Sequence, residues 1–240
     1  MHEFQIYKPF IIILHTLIRI IFGPLLYFFG HLKIYGVENI KHLKGSQYRK
    51  IILASNHTNE LDSILIPFSI PPSIIAPPMY FVSLEKRYYK NFGWKYIIYG
   101  GIFFKMLGAF PIKKGVKDYK KSLSTHIKIL NSNNPLIIYP EGKRSLNGEI
   151  QPARGGVGYL MYTTKAIVIP IAISPIHNLN IVSFFKRKHH IKVYIGKPIK
   201  YTDIEKEIDK NTDEVQIYKQ IASQIMKKVK TMLNELKNFK

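Results

Sequence analysis

Five short apolar runs constrain this chain more than any other feature: Ile51–Ala54, Met79–Val82, Leu136–Tyr139, Ile167–Ile173 and Ile191–Ile195. Such runs read as strands of a sheet covered on its faces. Between and after them the spacing changes. Val116, Tyr119, Leu123, Ile127 and Leu130 recur every three or four residues, as do Val215, Tyr218, Ala222, Ile225, Val229 and Leu236. Both series predict amphipathic helices, with Lys117, Lys120, Lys121 and Lys128 on the solvated face of the first. Strands alternating with helices predict a single α/β domain with a mainly parallel sheet flanked by helices. The 240 residues contain no internal repeat, and the turn-rich Pro67–Pro78 stretch reads as a loop within the domain.

The start of the chain is of a different kind. Pro9–Gly30 (PFIIILHTLIRIIFGPLLYFFG) is the most apolar stretch and is just long enough to cross a bilayer. A charge at Arg19 and the Gly23-Pro24 pair argue against a simple span, the latter predicting a kink or a break. Lys8, His15 and Arg19 form one polar stripe on an otherwise apolar helix, the pattern of a helix lying in the membrane interface. A second apolar segment, Phe92–Phe110, holds the single tryptophan and reads as another membrane-level element. Two buried core helices are the alternative reading. No small-residue cleavage motif follows the first stretch, so no signal peptide is expected. The expected organisation is a membrane-associating helical segment over residues 1–35 and a catalytic domain over 36–240.

Charge points the same way. Thirty-six lysines and arginines against 15 acidic residues give +21, which draws the chain to an anionic membrane face, an acidic carrier or nucleic acid. There is no cysteine, which excludes disulfide frameworks, thiolate metal sites and a cysteine nucleophile.

Two motifs close apolar runs. Ser55-Asn56-His57-Thr58-Asn59-Glu60-Leu61-Asp62 follows the first. Five helical steps would place His57 and Asp62 about 140° apart, so they cannot share a helix face. With His57 in a strand-to-helix turn and Asp62 in the first helical turn, they can meet. The carboxylate would then hold the Nδ1 proton and free Nε2 as a general base. Thr58 or Asn59 is a candidate helix cap. An ordinary capped helix start with a surface histidine competes with this reading. Tyr139-Pro140-Glu141-Gly142-Lys143-Arg144-Ser145 closes the third run. Gly142 suits a tight turn, while Arg144 and Lys143 offer a fork and a point charge to a phosphate. A charged surface turn is the competing reading. Gly108–Lys114 runs from apolar residues into Lys113 and Lys114, and Pro170 interrupts an apolar strand, which predicts an edge or a bulge. Lys186-Arg187-Lys188-His189-His190 reads as a solvated basic turn.

In this order, the four segments resemble the glycerolipid acyltransferase family, the lysophosphatidate acyltransferases in particular. His57 and Asp62 match its H-x4-D block, with Asn56 in the usual place before the histidine. Tyr139–Ser145 matches F-P-E-G-T-R-S, with Tyr for Phe and Lys143 for Thr. Gly108–Lys114 matches a glycine-led block, with Lys114 where arginine is usual, and Val168–Ile171 matches V-I-P-V. Phe81–Arg87 departs from the family's usual lysine position, for which Leu84 is the candidate occupant. The resemblance implies a glycerol-3-phosphate acyltransferase-like fold with an acyl-chain tunnel, and a metal-free and cofactor-free O-acyltransferase acting at the cytoplasmic face of a membrane. His57 and Asp62 would be catalytic. Asn56, Lys114, Glu141, Gly142, Lys143, Arg144 and Ser145 would bind the acceptor, 1-acylglycerol 3-phosphate. The donor would be an acyl carrier protein or coenzyme A thioester, and the product phosphatidate. Glycerol 3-phosphate, another lysophospholipid or a lipid-A-type lipid is the alternative acceptor. A basic nucleic-acid-binding protein is the non-enzymatic rival, but the lysines are scattered and no RNA-binding signature accompanies them.

Overall fold

A computed structural model of the chain describes residues 2–45, 50–85, 101–112, 118–176 and 178–239. Among these, seven strands form one sheet: β1 (Lys33–Tyr35), β2 (Ile51–Ser55), β3 (Tyr80–Leu84), β4 (Ala109–Ile112), β5 (Leu136–Ile138), β6 (Ile167–Ile173) and β7 (Lys192–Ile195). Their order across the sheet is β1-β7-β6-β2-β5-β3-β4. The pairs β6/β2, β2/β5, β5/β3 and β3/β4 are parallel, whereas β7 pairs antiparallel with β6 and carries β1 parallel to itself.

All five apolar runs are strands, and β2, β5 and β6 are buried along their whole length. The sheet packs a hydrophobic core on each face. One gathers Ile52, Ala54, Leu136, Ile138 and Val168 against helices α6 (Ser124–Asn131), α7 (Gly156–Thr164) and α10 (Glu214–Asn238). The other gathers Ile51, Leu53, Ile137, Ile169 and Ile171 against α3 (Asp62–Ser69) and the 3-10 turn Val37–Leu43. Gly158 permits the close crossing of α7 and α10, since a Cβ there would lie 2.0 Å from the Tyr218 carbonyl oxygen.

The N-terminal segment belongs to both cores. Phe4 of α1 (Glu3–Ile6) and Ile11 of α2 (Lys8–Phe28) are buried in the first, and Leu26 of α2 in the second. β1, at residues 33–35, is an edge strand of the seven-stranded sheet. Helix α2 continues through Pro24, so the expected break does not occur. Gly23 instead lets Phe68 of α3 pack closely, a Cβ there meeting its ring at 2.8 Å. Of the polar stripe, Lys8 is exposed, whereas His15 and Arg19 face the protein. His15 Nε2 donates to the Leu107 carbonyl (3.3 Å), and Arg19 donates to the carbonyls of Pro67 (2.6 Å), Phe68 (3.0 Å) and Ile70 (2.8 Å) at the end of α3.

Other expectations need correction. The second apolar segment lies partly outside the described residues, Trp94 included, and its described end is not one continuous helix. Residues 102–106 form the short α4 (Ile102–Met106), and Ala109 and Phe110 are buried in β4. The first amphipathic helix is two, α5 (Tyr119–Ser122) and α6, broken at Leu123, where Ser124 Oγ bonds the Lys121 carbonyl instead of the helix continuing. Pro67 lies inside α3, so the turn-rich stretch becomes a loop only after Ser69. Pro170 is in a central strand, not at an edge. Its carbonyl accepts from Gly196, and pairing there changes from Ile171–Ile195 to Val168–Ile199, an extra residue on the β7 side. That bulge absorbs the missing N–H.

Candidate active site

Strands β2 and β5 are parallel neighbours, with Ala54 opposite Ile138. The loops leaving their C-terminal ends therefore emerge side by side, where open α/β sheets place ligand sites. The first loop holds Asn56–Leu61 and the second Tyr139–Arg154.

His57 and Asp62 meet across the first loop. His57 Nδ1 lies 2.9 Å from Asp62 Oδ2, and the Asp62 side chain is fully buried while 18% of the histidine side chain is exposed. The same Oδ2 accepts the backbone N–H groups of Thr58 (2.7 Å) and Asn59 (2.9 Å). Neither Thr58 nor Asn59 caps α3; the aspartate opening the helix reaches back to the loop instead, and Asn59 Oδ1 accepts from Leu61 N–H (3.0 Å). With a carboxylate at Nδ1, that nitrogen carries the proton and Nε2 keeps its lone pair. No hydrogen bond reaches Nε2 among the described residues. The Tyr139 ring stacks on the imidazole, with centroids 4.0 Å apart and planes 14° from parallel. Burial pushes the Tyr139 phenol well above its ordinary range, so it stays neutral beneath the histidine.

Glu141 locks the two loops together. It is 2% exposed, with Oε1 accepting from His57 N–H (2.9 Å) and Oε2 from Gln151 N–H (2.7 Å). Burial raises its pKa, and those two N–H groups oppose the rise. Both oxygens are engaged by backbone, so Glu141 braces the two loops. Asn56 is likewise buried, exchanging two 2.9 Å hydrogen bonds with the backbone of Ile173 and tying β2 to β6. Ser145 is buried too; its N–H donates to the His57 carbonyl (2.8 Å) and its hydroxyl to Asn147 (2.9 Å). Gly142, at φ +68°, makes a turn no other residue fits easily, because a Cβ would sit 2.7 Å from Arg154 Cδ. The cations stay accessible. Lys143 is exposed, and Arg144, half-exposed, pairs with Glu60 Oε1 at 3.0 Å. Lys114 lies outside the described residues, and Leu84 ends β3 in register with Ile112 of β4.

Three features escaped the sequence reading: the Tyr139 stack, the Glu60–Arg144 pair and the bracing role of Glu141. The residues involved were visible in the two motifs, but their partners lie about eighty positions away.

The family model for Acyltransferase matches residues 31–174, which include both loops. The chain belongs to the Acyltransferase family. A 1-acyl-sn-glycerol-3-phosphate acyltransferase of Cocos nucifera is 24% identical over 183 residues, 74% of this chain and 56% of that protein. The chain thus spans a little over half the length of that curated relative. The crystal structure of the 1-acyl-sn-glycerophosphate (LPA) acyltransferase PlsC from Thermotoga maritima superposes with a TM-score of 0.63 at 18% identity. That match covers 94% of this chain and 80% of the other. It establishes the acyltransferase fold for this sheet and its helices. In this family member the histidine–aspartate pair and the basic turn stand at the ends of adjacent strands.

Proposed function

We propose that this acyltransferase moves an acyl group from an acyl carrier protein or coenzyme A thioester to the free hydroxyl of 1-acylglycerol 3-phosphate, giving phosphatidate. The observation that carries the reading is the imidazole held at Nδ1 by a buried carboxylate, with Nε2 open beside a basic turn. Nε2 takes the acceptor's hydroxyl proton as the oxygen attacks the thioester carbonyl carbon. The tetrahedral intermediate collapses, the C–S bond breaks, and the imidazolium returns the proton to the leaving thiolate. Asp62 stabilises the transient charge on His57. No covalent acyl-enzyme forms, and the residues named carry the proton without a metal or cofactor.

Arg144 and Lys143 are the proposed phosphate ligands, with Lys114 a further one. Arg144 is held by Glu60 until an acceptor phosphate competes for its fork. The likeness to the coconut and Thermotoga lysophosphatidate acyltransferases supports the acceptor assignment. Attachment to the cytoplasmic face of a membrane is part of this proposal, and α2 supports the attachment. It has a mean hydropathy of 2.0 and exposes Phe10, Ile13, Leu17, Ile20 and Ile21 while His15 and Arg19 are turned inward. Such a helix fits the interface with its apolar face among acyl chains.

The test is acylation of a panel of acceptors with both donor types: lysophosphatidate, glycerol 3-phosphate, other lysophospholipids and a lipid-A precursor. Preferred turnover of lysophosphatidate is expected. Equal or better turnover of another acceptor overturns the assignment.

A further inference from the structure

The basic turn Lys186-Arg187-Lys188-His189-His190 has no part in the site. It follows α8 (Ile181–Phe185), a short helix inserted between β6 and β7 that packs Phe184 on the core and turns three apolar side chains outward: Ile181 is 73% exposed, Val182 59% and Phe185 50%. None of the three is needed to cover the sheet. Asn180 and Ser183 hold the helix in place with a reciprocal cap, Ser183 N–H to Asn180 Oδ1 (2.9 Å) and Asn180 N–H to Ser183 Oγ (3.0 Å).

This outward face continues that of α2. Phe29, just after α2, has its ring 4.9 Å from both Phe28 and Phe185. Arg187 lies over the Phe28 ring at 4.6 Å and donates from Nε to His31 Nε2 at 3.2 Å, and His31 in turn stacks on His190 at 4.6 Å. The basic turn is thereby fastened to the end of α2 although the two are more than 150 residues apart. The result is one surface: apolar side chains of α2 and α8 together, rimmed by Lys186, Arg187 and Lys188.

We propose that α8 and its basic turn form a second membrane-insertion element, seated with the α2 face in an anionic bilayer surface. Charge selects this occupant over an apolar protein partner. Three consecutive cations border the apolar patch on a chain of net charge +21, which is complementary to anionic headgroups above an acyl-chain layer. Two separated anchors also fix how the molecule sits on the membrane, which one helix free to roll about its axis does not. The proposal rests on the membrane attachment inferred above.

The experiment uses the full chain and vesicles of phosphatidylcholine with or without phosphatidylglycerol. Ile181→Glu/Val182→Glu/Phe185→Glu should weaken vesicle partition about tenfold or more. Lys186→Glu/Lys188→Glu should weaken it several-fold on anionic vesicles and little on neutral ones. Turnover of detergent-dispersed acceptor should not change in either. A polarity-sensitive dye at Val182→Cys, unique in this cysteine-free chain, should shift to the blue on anionic vesicles, and one at Lys206→Cys should not. As a parallel arm, Ile20→Glu/Ile21→Glu disrupts the α2 face. If that variant detaches while both α8 variants bind like the parent and the Val182 dye stays in water, the inference fails and the α2 reading stands. If the parent itself does not bind vesicles, the membrane reading fails with it.

Discussion

At the scale of single residues the site depends on which nitrogen of His57 holds the proton. Asp62→Asn keeps the size of the side chain, but its amide can donate to Nδ1, which moves the proton to Nε2 and removes the base. We expect both His57→Ala and Asp62→Asn to fold, by circular dichroism, and to lose about 10²–10⁴ in kcat. A folded variant keeping a tenth of the parent kcat would remove His57 as the base. Arg144 belongs to a different function of the same site. Arg144→Ala should raise KM for a phosphate-bearing acceptor about tenfold or more, the loss of a charge-assisted contact. An acceptor without phosphate should show no such change, and an equal loss with it would assign Arg144 to the fold instead. Both motifs were legible in the sequence. The brace at Glu141 was not, because a glutamate in a polar turn looks the same whether its oxygens meet a ligand or two backbone N–H groups.

Among the elements, α2 and α3 are coupled through Arg19. Its guanidinium meets three carbonyls at the C-terminal end of α3, where a cation also opposes the helix dipole. The same helix begins with Asp62, so the helix proposed to lie in the membrane interface bears directly on the one that orients the base. Arg19→Met should cost about 1–3 kcal/mol of stability in denaturant titrations, since it leaves carbonyls without partners. Arg19→Lys, which restores the charge without the fork, should recover only part of it. Full recovery by lysine would show that charge alone matters there. The strands missed in the sequence, β1 and β4, are both edge strands of three or four residues. Lys33-Ile34-Tyr35 has too little pattern to read alone and becomes a strand by pairing with β7.

For the whole molecule, acid stability is set by histidines the fold keeps neutral. His126 is fully buried beside β4, donates Nε2–H to the Phe110 carbonyl (3.0 Å), and has its pKa lowered by burial from 6.5 to about 4. Between those values the unfolded chain takes up a proton that the folded chain refuses. Stability therefore rises with pH across this window and is lost as pH falls through it. His15, also lowered by burial, acts in the same direction, and Glu141, raised by burial, opposes it. Urea titrations from pH 7 to 4 should show falling stability, with His126→Gln flattening the slope by up to about 1.4 kcal/mol per pH unit. An unchanged slope would show that His126 is protonated in the native state.

Sequence alone determined the class of fold and the meeting of His57 with Asp62. Buried parallel strands must be apolar throughout, and the chemistry needs a histidine and a carboxylate at a separation one loop can close. Both demands are local and leave local marks. Tertiary structure alone decided that Glu141 braces His57, that Tyr139 lies under the imidazole, that Arg19 is satisfied by α3, and that a basic turn near residue 187 joins the end of α2. Each of these is a contact between segments tens of residues apart. Its free energy exists only once the sheet has brought them together.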